Sequence, residues 1–194
     1  MRILVVLLML LSSCVSLAGG PAPTAIPFGP PVMVKLSGLI TDDSVGGLTL
    51  ALEKVQDMTV KPASIFIEID SPGGEYQAGF ELSKAIESVP VPVICRVDGQ
   101  ASSMAFFVLQ SCDIRISSGR STLMIHETVM VGALHRKELS SLTRSMEVKN
   151  AALAHQCTKR AKVSVPDFLA KIAEGDWWMT PDEALKLGFI DVVN

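Results

Sequence analysis

The sequence predicts one α/β domain built on a mostly parallel sheet, and three observations carry that prediction. From residue 32 onward, short apolar runs with strand periodicity alternate with longer runs of helical periodicity. Parallel neighbours need a long crossover between them, and a helix is the usual one, so this alternation implies parallel pairing. Across its 194 residues the chain is 48% hydrophobic and 19% charged, enough apolar material for a single well-filled core.

The elements follow in order. VMVKLSG (32–38) reads as a strand, and Asp42 or Asp43 is placed to cap a helix running to about Met58, with Leu48, Leu50, Leu52 and Val55 as its apolar residues. SIFIEID (64–70) alternates at period two, and Ser71-Pro72-Gly73-Gly74 is expected to break it. Residues 75–89 carry a helical stripe through Phe80, Leu82 and Ile86, ended by Pro90 and Pro92. VPVICRV (91–97) is a strand, Gly99 a turn, and 103–110 an apolar helix. Short strands are expected at 113–117 and 121–127, a long helix over roughly 136–160, shorter helices near 166–174 and 181–187, and a closing strand at 189–193.

The first residues stand apart from this pattern. Arg2 precedes an unbroken apolar run from Ile3 to Leu11, too short to span a bilayer and suited to the core of a secretory signal over residues 1–18. A buried strand is the competing reading, disfavoured by the small residues and the Pro/Gly stretch that follow. Leu11-Ser12-Ser13-Cys14 resembles a bacterial lipobox that would lipidate Cys14, and Ser16-Leu17-Ala18 offers an ordinary cleavage site. Residues 19–31 read as a proline-stiffened tether leading to a domain over 32–194. The protein is therefore expected to be exported, periplasmic or anchored to a bacterial membrane through its N-terminus. Cys95, Cys112 and Cys157 are odd in number and cannot all pair; buried thiols are the default, and a Cys95–Cys112 bridge is open in an exported protein. No Cys/His spacing suits a metal, no cofactor is indicated, and a net charge of −3 without a basic block gives no reason to expect nucleic acid.

Loops leaving the C-terminal ends of parallel strands carry the chemistry in such folds, and three of them are loaded here. Ser71–Gly74 can bring backbone close to a substrate with N–H groups turned toward an anion, and it lacks the Lys-Ser/Thr ending of a phosphate loop. Gly99-Gln100-Ala101-Ser102-Ser103 turns a strand into a helix; Ser102 is expected to cap it, and an oxyanion would be stabilised at the same place. The arrangement resembles a nucleophile elbow without the G-x-S-x-G signature. His126 ends a strand, where a structural histidine is the commoner case; candidates for the other roles raise its standing as a base.

Taken together, Ile69-Asp70-Ser71-Pro72-Gly73-Gly74, Gly99-Gln100-Ala101-Ser102-Ser103-Met104-Ala105, Met124-Ile125-His126-Glu127 and Gly175-Asp176-Trp177-Trp178-Met179-Thr180-Pro181-Asp182-Glu183-Ala184 resemble the proteolytic subunit of the Clp protease, over roughly 34–193. The resemblance implies a ClpP/crotonase-like spiral of strand–helix units with a protruding handle helix, and a serine endopeptidase. It implies Ser103 as nucleophile, His126 as base, Asp176 as the carboxylate behind it, and the N–H groups of Gly74 and Met104 as the oxyanion hole. It also implies a homo-oligomeric ring acting on peptides or unfolded proteins. The sequence departs from the family in having a proline-rich tether where the family's pore-lining segment would stand, so an ATPase partner is not expected. Ala105 replaces a glycine, and Trp177-Trp178, expected mainly in core packing, replaces a polar-aromatic pair. Rival readings are a Ser–Lys dyad using Lys149, as in signal-peptide-peptidase-A-like and NfeD-like proteases, a non-catalytic scaffold, and an acyl-CoA binder. Lys149 reads more readily as a solvated surface charge, and no basic residues near Ser71–Gly74 would suit a CoA phosphate.

Overall fold

The structure, a computed structural model, describes residues 28–130 and 138–194. The signal, lipobox and most of the tether assigned from sequence, with Cys14 among them, lie outside the described residues. The last of the tether does not hang free. Gly29 bridges to Pro62 in parallel, its N–H donating to Lys61 O at 2.8 Å, so pairing begins three residues before the expected domain start.

Among the described residues seven strands and six helices follow: β1 (Val32–Ile40), α1 (Asp42–Val55), β2 (Ile65–Gly74), α2 (Tyr76–Ser88), β3 (Val93–Ser102), α3 (Met104–Leu109), β4 (Ile114–Ser117), β5 (Thr122–Ile125), α4 (Leu139–Thr158), α5 (Val165–Ala173), β6 (Trp177–Met179), α6 (Pro181–Leu187) and β7 (Val192–Val193). The sheet runs β1-β2-β3-β4-β7, with β5 branching from β3 and β6 pairing with β5. Every pairing between strands is parallel except β5–β6. This is the mixed α/β fold with a mostly parallel sheet that the sequence predicts.

The centre of the sheet explains the core. β2 and β3 have neighbours on both sides, and Ile65, Ile67, Ile69, Val93, Cys95 and Val97 are buried along them. Helix α3 is buried along its whole length, which is why its sequence is unbroken Met-Ala-Phe-Phe-Val-Leu rather than amphipathic. Phe106, Phe168 and Trp177 close around Phe189 at ring-centroid distances of 5.2–6.1 Å, tying α3, α5 and β6 to the C-terminal end.

Several local expectations are corrected. Thr41, not Asp42 or Asp43, caps α1, because its hydroxyl and that of Ser44 satisfy each other's backbone N–H in a capping box. Leu50 faces outward, 51% exposed, while Leu52 and Val55 face the core. Ser71–Gly74 does not break β2, and Gly99 does not end β3; both strands run on through register shifts that absorb the irregular residues. The two tryptophans divide: Trp177 packs inward and Trp178 is 55% exposed.

Candidate active site

The site is assembled where β2, β3 and β5 end side by side. In β2, the Ser71 hydroxyl donates to Gly38 O at 2.6 Å and accepts from Gly73 N–H at 3.1 Å, fixing the loop from within. Gly73 therefore has its N–H engaged rather than free for an anion. Its φ is +93°, and a Cβ there would come within 2.5 Å of Ser102 O and 2.8 Å of Met104 N. Only glycine lets this loop lie directly against the end of β3. Gly74 is constrained on its other side, where a Cβ would strike the Ile40 backbone of β1.

β3 delivers two serines with opposite fates. Ser102 is buried and its hydroxyl donates to Gln100 Oε1 at 3.2 Å, so it does not cap α3 as expected. Ser103 takes the cap position and leaves it unused: its side chain makes no cap hydrogen bond, and its backbone sits at φ 54°, ψ −121°. It is the one non-glycine residue with positive φ among the described residues. Such a conformation costs about 1–3 kcal/mol and turns the side chain out of the chain path. The Met104 N–H that follows has no acceptor among the described residues, leaving a donor beside the Ser103 hydroxyl.

β5 brings the histidine alongside. Ser102 pairs with Met124 in register, and Ser103 N–H donates to Met124 O at 2.8 Å, so His126 leaves the sheet next to the elbow. Its Nδ1 bonds the Glu127 carbonyl oxygen. A carbonyl can only accept, so this bond puts the proton on Nδ1 and leaves the Nε2 lone pair open. Ser103, Met104, His126, Gly73 and Gly74 line one cleft of about 320 Å³, walled by Leu39, Tyr76, Ile125, Val129 and Leu153.

Asp176 is not brought into that cleft. It lies in a separate hollow with Lys171, Glu174 and Trp178, and no hydrogen bond joins it to His126. The ladder stops just short of both. β5 and β6 run antiparallel with Ile125 opposite Trp177 as the last pair, and His126 and Asp176 are the residues next to that pair along the chain. Nor do Ser103 and His126 share a hydrogen bond in this structure. Lys149 is half-buried, its Nζ 5.0 Å from the centroid of the Tyr76 ring, and it does not line the cleft.

One feature escaped the sequence reading and another was left open by it. Asn150 of α4, 7% exposed, reaches the residues after His126 with both ends of its amide. The signal was present: Asn150 interrupts the buried stripe that Leu153, Ala154 and Cys157 continue at helical spacing. The other is a disulfide. Cys95 and Cys112 are bonded, with Cα atoms 5.9 Å apart, and among the described residues only Cys157 stays a free thiol, its pKa pushed far up by burial. The default of three unpaired thiols is thus corrected: the end of α3 returns beside the start of β3.

Parallel sheet, elbow and lined cleft together define a protein of the Clp-protease fold class. The profile of the family described as Clp protease matches residues 34–194, and the chain belongs to that family of peptidases. It is 28% identical over 160 residues to the ATP-dependent Clp protease proteolytic subunit 2 of Treponema pallidum, covering 81% of this chain and 79% of that one. With the ATP-dependent Clp protease proteolytic subunit 1 of Chlamydia pneumoniae it shares 30% over 131 residues, 66% of this chain and 68% of the other. The corresponding subunit 1 of Protochlamydia amoebophila is 28% identical over 145 residues, covering 71% and 68%.

Proposed function

We propose that the protein is a serine endopeptidase acting through an acyl-enzyme, with Ser103 as nucleophile, His126 as general base, Asp176 as the carboxylate behind the base, and Gly74 and Met104 N–H groups as oxyanion donors. The observation that carries this reading is the strained, uncapped Ser103 in the same cleft as His126. A hydroxyl held in an unfavourable backbone conformation, when capping was available, is placed for reaction rather than for stability.

Each residue then has a step. His126 Nε2 takes the Ser103 hydroxyl proton as Oγ attacks the peptide carbonyl, and the resulting oxyanion is received by the Met104 and Gly74 amides. The imidazolium returns that proton to the amine as the C–N bond breaks, leaving an ester on Ser103. Water, deprotonated by the same nitrogen, hydrolyses the ester and restores the serine. Glu127 O fixes the starting tautomer, and Asp176, which like His126 lies just past the last β5–β6 pair, balances the imidazolium charge as it forms. The apolar walls favour a hydrophobic side chain next to the cleaved bond.

The relatives are named as ATP-dependent. For this chain we propose export, directed by the apolar run at Ile3–Leu11, and activity without an ATPase, since ATP is lacking outside the cytoplasm. A homo-oligomeric ring acting on peptides or unfolded protein is part of the same reading, by analogy with the family. The Ser–Lys alternative has less support, because Lys149 lies over the Tyr76 ring and does not itself line the cleft.

Labelling with a fluorophosphonate probe tests the chemistry. Wild type and Lys149→Ala are expected to label equally, Ser103→Ala not at all, and Asp176→Asn more slowly by on the order of 10⁴. Equal labelling of wild type and Ser103→Ala removes the assignment; failure of the folded wild type to label favours a non-catalytic scaffold.

A further inference from the structure

We infer that Asn150 is the positioning residue for the catalytic base, a role that rests on the peptidase reading above. Its amide is used at both ends: Oδ1 accepts from Thr128 N–H at 2.8 Å, and Nδ2 donates to Glu127 Oε1 at 3.2 Å. These are the two residues that follow His126, and the Glu127 carbonyl is the acceptor that holds the imidazole's Nδ1 proton. Asn150 thus fixes the peptide unit that fixes the ring, acting from α4, a different part of the sequence.

Three further observations make this more than a helix contact. Asn150 is buried on a stripe otherwise filled by Leu153, Ala154 and Cys157, where an apolar residue would pack without a polar group to satisfy. The Thr128 hydroxyl is buried with no partner among the described residues, so that residue is placed by its bond to Asn150 and not by its own side chain. β5 ends at Ile125, beyond which the sheet no longer holds the chain that carries His126. Asn150 takes over that task.

The amide's polarity gives a test by exchange. Asn150→Asp can still accept from Thr128 N–H but faces Glu127 with a second carboxylate. Glu127→Gln alone can turn its carbonyl oxygen to Asn150 Nδ2 and keep the bond. In the double variant the polarity is reversed: Asp at 150 accepts from both Thr128 N–H and the Gln amide at 127. Fluorophosphonate labelling of Ser103 is expected to fall about 10–100-fold in Asn150→Asp, to change by less than about threefold in Glu127→Gln, and to return to within about threefold in the double variant. Asn150→Ala introduces no charge and serves as the second probe: with a p-nitrophenyl ester its kcat is expected to drop about 10–100-fold while KM holds. A wild type that labels, with Asn150→Ala folded and labelling at the same rate, overturns the inference and leaves the peptidase assignment standing. So does a double variant no better than Asn150→Asp. A folded wild type that does not label overturns the peptidase reading itself.

Discussion

At Ser103 a single backbone torsion separates the demands of folding from those of chemistry. Positive φ is tolerated by glycine and resisted by residues with a Cβ, so the elbow is held against its own preference by the strand before it, the helix after it and Gly73 pressed against it. Substitution can read this directly. Ser103→Ala removes the hydroxyl but keeps the Cβ, whereas Ser103→Gly removes both and relieves the strain. The glycine variant is expected to be more stable than the alanine variant by about 1 kcal/mol, roughly 2–4 °C in Tm for a domain of this size, although neither labels. A glycine variant that melts below the alanine variant would show that the torsion stores no strain. The trade of stability for a reactive side chain is a common feature of active sites.

The nucleophile's strand–elbow–helix unit is also closed covalently. Cys95 lies in β3 and Cys112 just beyond α3, so the disulfide encloses Ser103 in a loop with a sequence separation of 17. Closing a loop of that length stabilises by about 3 kcal/mol, mainly by restricting the unfolded chain. Cys95→Ala/Cys112→Ala is therefore expected to melt several degrees lower than wild type, and a dithiol reductant to lower the wild-type Tm by a similar amount without moving the variant's. A wild-type Tm indifferent to reductant would show that the bond contributes nothing. The sequence could propose this pair but could not rank it above free thiols, because pairing depends on α3 folding back along β3. The same limit runs through the other elements. Strands β1 to β3 announce themselves by alternation, and α2 by its stripe of Leu82 and Ile86. The extensions through Pro72–Gly74 and Gly99–Ser102 do not, since Gly and Pro ordinarily end strands and here sit at register shifts. Strand β6 is three residues long, too short for periodicity to register, and it exists because β5 offers an edge to pair with. The loops carrying residues 103 and 126 could be picked out locally; the placement of His126 and Asp176 in different hollows has no local trace, and Asn150 left only a polar residue in a helical stripe, with no sign of what it reaches.

Across the whole molecule, one ion cluster binds the sheet to its surroundings. Arg115 of β4, 2% exposed, donates from Nε and Nη2 to Asp191, just ahead of β7, while its Nη1 donates to Gln110 beyond α3. Arg160, past the end of α4, donates to the same Asp191 carboxylate and to Cys112 O. Burial alone would push the Asp191 carboxyl up, but hydrogen bonds and charge from Arg115, with charge from Arg160, outweigh it and hold the group below its ordinary value. A carboxyl with a lowered folded pKa contributes stability that is complete above the ordinary aspartate pKa of about 3.9 and is lost as pH falls through the lower folded value. Asp191→Asn leaves the buried Arg115 guanidinium without its counter-charge; because Asp191 itself meets solvent, the loss is screened and is expected to be about 1–2 kcal/mol near pH 7, roughly 2–8 °C in Tm. The gap between the two proteins should stay level from about pH 7 to 5 and close as the pH drops below about 4, because protonated Asp191 is then as neutral as the asparagine. Melting curves taken across that range separate charge from packing: a gap that persists undiminished to about pH 2 would place the contribution in shape alone, and the cluster would no longer count as what joins β4, β7 and the ends of α3 and α4.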